Sequence, residues 1–214
     1  MNLQQQLWDQ YFTEEYLGFE LTPLLGQIAA TIGYKSQLFK ELIYCLADKR
    51  ENYHYSPTIG ANLDFQFTAQ TVTLTRLDES QILSKKDFLR LLVLIDKVYG
   101  EILPLGSVIQ LDKSRLPDKS MLPTEDTLIY AMITGQRVCI NHQFYLDYTG
   151  IFWPNGLMEK QEPLAISNIM IETVLFRGLE DNPLEDQFIL GIRRKLLSLD
   201  LDSFYFQQYL AKGD

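Results

Sequence analysis

Histidine and cysteine are scarce in this chain: its 214 residues include two of each. That shortage excludes most chemistry built on imidazole or thiolate. Structural zinc takes four Cys or His ligands, and the only close pair, Cys139 and His142, is half a site. If 139–141 is extended, those two side chains also leave opposite faces. A Cys–His nucleophile fails on the same geometry and lacks a third group to orient it. Cys45 and Cys139 lie far apart in sequence, and reduced thiols are expected rather than a disulfide. Positive charge is also short. Lys and Arg number 19 against 28 Asp and Glu, a formal net charge of −9. A nucleic-acid backbone binder needs clustered cations, so that class is excluded. No uninterrupted apolar run approaches the roughly 20 residues of a membrane span. The first residues, Met1 to Gln6, have no basic region and no signal-like apolar core, so the expected compartment is the cytoplasm.

The motif inventory is equally thin. The sequence has no phosphate loop of the Walker type, no G-x-G-x-x-G and no G-x-S-x-G around Ser107. The acids Glu180, Asp181, Glu185 and Asp186 lack EF-hand spacing. No catalytic residue, cofactor or metal is therefore expected. The one enzymatic alternative is a metal site using Asp147 or Glu172.

What is plentiful is aromatic and periodic. Twelve Tyr and twelve Phe favour a large β component or an aromatic interaction surface. The organising stretch is 102–108, where Leu103, Pro104, Leu105 and Gly106 form an apolar corner. Proline cannot continue the preceding helix, and glycine permits backbone angles that other residues avoid. Before it, helical spacing predicts helices over 3–16, from Pro23 to near Gly33, and from Ser36 through Leu46. Residues 51–61 read as a loop. Residues 63–77 alternate, with a phase flip after Gln70 that means a bulge, a hairpin turn or burial on both sides. Ser84 and Asp87 mark the start of a strong amphipathic helix that Gly100 stops.

After the corner the pattern turns to strands. These are 108–111, 127–134, 137–140 across a Gly135-Gln136 hairpin turn, 144–151 and 169–176, with a polar loop over 112–126. Asn182, Pro183 and Glu185 form a helix start: cap, first position and capping-box acid. Leu184, Phe188, Ile192, Leu196 and Leu199 follow as its apolar stripe. The expected fold is α+β. Residues 1–100 form a mainly helical domain with a short antiparallel sheet near 63–77. Residues 101–214 form a small antiparallel β-barrel-like domain with C-terminal helices.

The run Ile102 to Ile109, the strand at 128–133, Tyr148-Thr149-Gly150 with Trp153-Pro154-Asn155-Gly156, and 171–178 before an acidic helix start together resemble the domain of unknown function 4176 family. That family occurs in Gram-positive bacteria, commonly encoded beside LXG-type toxins and other type VII secretion genes. The resemblance implies a protein partner and no established reaction.

Tyr145, Tyr148, Phe152 and Trp153 are candidate partner-binding residues, as are Tyr205, Phe206 and Tyr209 near the chain end. The bland alternative is that the first group fills a small core. Strand alternation puts Tyr145 and Tyr148 on opposite faces, so one of them is expected outside. The functional expectation is a non-enzymatic accessory protein of type VII secretion, binding a toxin as chaperone or targeting factor. The alternative is an immunity protein that neutralises such a toxin, acidic protein against basic target.

Overall fold

A computed structural model describes residues 3–116, 128–156, 162–180 and 182–205. The chain divides into two compact units after Gly100.

The first unit is built around one helix. In order it comprises α1 (Leu3–Tyr11), α2 (Glu14–Leu17), α3 (Pro23–Tyr34), α4 (Ser36–Ala47), β1 (Asn52–Tyr55), β2 (Leu63–Phe67), β3 (Thr71–Arg76), β4 (Glu79–Ser84) and α5 (Lys85–Tyr99). Polar caps start three of these helices. Thr13, Thr22 and Ser84 accept the backbone N–H of Tyr16, Leu25 and Asp87. The predicted helix over 3–16 is broken at Thr13, because its side chain caps a new turn that Gly18 ends in the left-handed region.

The four strands form one antiparallel sheet in sequence order. Leu63, Phe65 and Phe67 on β2 and Val72 and Leu74 on β3 all face inward. The phase flip after Gln70 is thus a hairpin turn. The 51–61 segment is not all loop: Asn52–Tyr55 pairs with Leu63–Gln66. Its Asn, Ser, Pro and Gly give it turn chemistry, but Tyr53 lies tilted against Phe65 across the β1–β2 pair. α5 packs on α1, α2, α3, β3 and β4, and buries even Asp96 and Lys97. The buried Lys97 ammonium donates to the Tyr16 hydroxyl, 3.2 Å away.

The second unit is a six-stranded sheet covered on one face by a helix. Its elements are β5 (Val108–Leu111), β6 (Tyr130–Ile140), β7 (Phe144–Trp153), β8 (Leu164–Ile166), β9 (Ile171–Phe176), α6 (Pro183–Ser198) and β10 (Asp202–Ser203). The order is β10-β7-β6-β5-β9, with β8 also on β7. All pairs are antiparallel except β10 with β7. One face carries the main core of Leu103, Ile109, Leu111, Ala131, Ile133, Tyr148, Ile166 and Ile171. Each fully buried aliphatic there contributes about 2 kcal/mol. The other face buries Tyr145 against Leu196 and Leu201.

The sheet is open, not barrel-like. β9 ends it on one side, and only the short β8 and β10 flank β7 on the other. Strands of two to four residues supply too few ladder bonds to curl the edges round, and α6 buries the second face instead. The predicted hairpin turn at Gly135-Gln136 also fails. β6 runs through it with a register irregularity between Ile133 and Gly135, and the chain reverses at Asn141 and His142, both with positive φ.

Candidate interaction surface

The corner is fixed by side chains that satisfy its backbone. Gly106 has φ +80, and its N–H donates to the Ile133 carbonyl at 2.9 Å. Ser107 Oγ, fully buried, donates to the Pro104 carbonyl at 2.7 Å and accepts from Gly178 N–H at 3.0 Å. It therefore holds the corner to the segment after β9. The Tyr148 hydroxyl donates to the Glu101 carbonyl and accepts from Leu103 N–H, each at 3.0 Å. Burial pushes this phenol well above its usual range.

Asp147, on the opposite face of β7, is equally committed. Its carboxylate takes Arg137 Nη1 at 2.5 Å, Ser167 Oγ at 2.8 Å and Asn168 N–H at 3.0 Å. A carboxylate with these partners organises the turn before β9; a cation would have to displace a buried guanidinium. Glu172, the other acid weighed for a metal, accepts from Gln110 at 2.6 Å on the surface. Among the described residues, no three His, Cys, Asp or Glu side chains gather as a metal would require.

The helix start at Asn182 forms largely as read. Asn182 Oδ1 accepts Leu184 N–H at 2.9 Å, and Pro183 occupies the first turn. Glu185 does not close a capping box. Its carboxylate accepts Gln136 Nε2 at 2.7 Å, and the same amide donates to the Leu103 carbonyl at 2.9 Å. Gln136 thus ties the corner to α6, the more stabilising use of the acid because both partners are shielded. Glu180 pairs with Arg177, which also bonds Glu101 at 2.6 Å. The hydrogen bond to Glu101, more than any other cause, raises the Arg177 guanidinium pKa further. Asp181 lies outside the described residues.

The candidate aromatic residues do not form one surface. Tyr145 and Tyr148 are both fully buried, so the expectation that one lies outside is corrected. They do face opposite ways, but Tyr145 is covered by Leu196 and Leu201, while Tyr148 lies in the main core with Leu103 and is bonded to the corner. Phe152 packs against the main core, as does Tyr205. The Tyr205 hydroxyl approaches the Ala165 carbonyl at 3.5 Å. Trp153 is half exposed and meets Tyr130 edge-on. Phe206 and Tyr209 lie outside the described residues.

Other leucine and phenylalanine positions supply the exposed apolar surface that the candidate aromatics were expected to give. Leu105, Leu175, Phe176, Leu179, Leu184 and Phe188 are all at least half exposed. Five of these fall between the end of β9 and the second turn of α6. Of the apolar stripe expected on α6, Leu196 is buried, whereas Leu184, Phe188 and Leu199 are exposed, and Arg193 and Leu197 are buried beside Leu196. The signal was present, since α6 has more apolar positions than one buried face holds.

The second unit is thus an open, helix-covered antiparallel sheet with an apolar margin. Residues 102–188 match the family model of a domain of unknown function (DUF4176). The match runs from the corner through the first turns of α6 and covers somewhat under half of the chain, the same stretch that carries the resemblance read from the motifs. No curated protein and no solved structure matches the chain. Among the described residues, no helix is long and apolar enough to cross a membrane.

Proposed function

We propose that this protein is a non-enzymatic cytoplasmic accessory protein of type VII secretion, which binds a toxin as chaperone or targeting factor. One observation carries the reading: the DUF4176 match at 102–188 coincides with the stretch where exposed Leu and Phe side chains concentrate. Exposed apolar side chains that gather into one patch mark docking surfaces. The conspicuous buried polar groups, Asp147, Arg137, Tyr148 and Gln136, are spent on holding the corner and the sheet. Co-expression with an LXG-type toxin, followed by pull-down, is expected to recover a complex. Recovery of neither protein by the other sinks the proposal.

The net charge of −9 favours one alternative, an immunity protein set against a basic toxin domain. Toxicity rescue separates the two. An immunity protein protects producing cells, whereas a chaperone affects export and protects little.

A further inference from the structure

We infer that the first two turns of α6, residues 183–190, are a movable arm, hinged at Gly191 and latched to the sheet through Glu185 and Gln136. The arm is a property of the second unit alone and does not depend on which partner binds.

Packing along α6 is lopsided. The three side chains it buries, Arg193, Leu196 and Leu197, all follow Gly191. Leu196 packs with Tyr145 and Leu201, and Ile192 joins them. Before Gly191 no side chain of the helix is fully buried. Pro183, Leu184, Asp186, Gln187 and Phe188 are exposed, while Glu185, Ile189 and Leu190 are half-buried. A segment with so few buried contacts opens at low cost.

Gly191 stands where the undocked half meets the docked half. The other described glycines of the second unit are required where they are. Gly106 and Gly156 have positive φ, and a Cβ on Gly135, Gly150 or Gly178 would strike a neighbouring atom. Gly191 has neither reason, since an added Cβ meets nothing within 4 Å. Glycine inside a helix is less favourable than alanine. What it supplies here is backbone freedom, as hinge positions need.

The latch is a single polar contact. Among the described residues, the arm's side chains make one hydrogen bond to the rest of the fold, Gln136 Nε2 donating to Glu185 at 2.7 Å. Gln136 Oε1 is buried and accepts nothing from the described residues. The closed state therefore carries an unsatisfied acceptor, and opening lets water reach it, which offsets part of the cost of breaking the latch. Open, the arm withdraws Ile189 and Leu190 and frees the Gln136 amide beside the corner.

Amide exchange on the full chain, resolved by residue, tests this. A freed helix of eight residues is too short to persist in water. The amides of 187–194 donate to the carbonyls of 183–190, so an opening arm exposes them together. They are expected to share one rate, about tenfold faster than 195–198, with a step after Arg194. Fraying from the helix end gives a gradual ramp instead. Glu185→Ala should speed 187–194 about fivefold and leave 195–198 unchanged. Asp186→Ala removes an exposed acid of the same turn and should change neither set. Gly191→Ala, which has room for its Cβ, should erase the step. A ramp, a uniform rate over 187–198, no response to Glu185→Ala, an equal response to Asp186→Ala, or a step that survives Gly191→Ala overturns the proposal.

Discussion

Tyr148→Phe is the substitution that asks most of this fold for the least change in shape. The ring stays, so the packing against Ile166 and Leu103 stays with it. What is lost is one oxygen that donates to the Glu101 carbonyl and accepts from Leu103 N–H. The carbonyl keeps the Asn168 amide at 3.3 Å, but Leu103 N–H is left buried without an acceptor. That orphan costs about 1–3 kcal/mol, and we take about 2 kcal/mol as the expected loss. For a unit of this size that lowers Tm by roughly 10 °C. The pH dependence supplies a second, independent signature. Unfolded, the phenol releases its proton near pH 10; folded, burial makes it hold on to higher pH. Above about pH 10 the unfolded chain binds fewer protons at this site, so wild-type stability falls by about 1.4 kcal/mol per pH unit, a loss the Phe variant lacks. The deficit of the variant should therefore hold at about 2 kcal/mol up to pH 9 and vanish near pH 11.5. Urea titrations followed by Trp153 fluorescence in a Trp8→Phe background, at steps from pH 8 to 11, measure it. Equal stability at pH 8, or a deficit that does not shrink between pH 9 and 11, refutes the reasoning.

Asp147→Ala strands Arg137 in a buried site and should cost about 3–5 kcal/mol, whereas Glu172→Ala on the surface should stay within about 0.5 kcal/mol; paired chemical denaturation curves compare them. Gly106→Val should cost about 2 kcal/mol, because φ +80 strains a branched residue although nothing crowds an added Cβ. Gly178→Ala is expected to be worse than Gly106→Ala, since its new Cβ meets the Leu105 carbonyl directly; thermal melts rank the two. Ser84→Ala should lower the first unit's stability by about 1 kcal/mol through loss of the α5 cap, read by circular dichroism at 222 nm.

Local chemistry was legible where one residue type has one use. Ser84, Asn182 and Pro183 marked helix starts, Gly106 marked a positive φ, and alternation located β2 and β3. The errors share a cause. Gly135-Gln136 has turn composition, but Gln136 is needed to bridge Leu103 and Glu185, so β6 continues and Asn141 and His142 turn the chain. β1 hides inside turn-rich composition because cross-strand pairing with β2, not propensity, stabilises it. Alternation could not reveal that both faces of β7 are covered, since that depends on where α6 lands. For the same reason the pattern showed a surplus of apolar positions on α6 but not which of Leu175, Phe176, Leu184 and Phe188 would stay uncovered. Periodicity says that a side chain is apolar, while exposure is decided by what the rest of the fold leaves uncovered.

The two cysteines, unhelpful as chemistry, divide the molecule between them. Cys45 is buried in α4 of the first unit, where burial also pushes its thiol up; Cys139 is exposed on β6 of the second. A maleimide therefore marks the second unit at once and the first only when α4 opens. Counting labels by mass over time makes the native protein its own reporter of which half loosens first, with no residue changed.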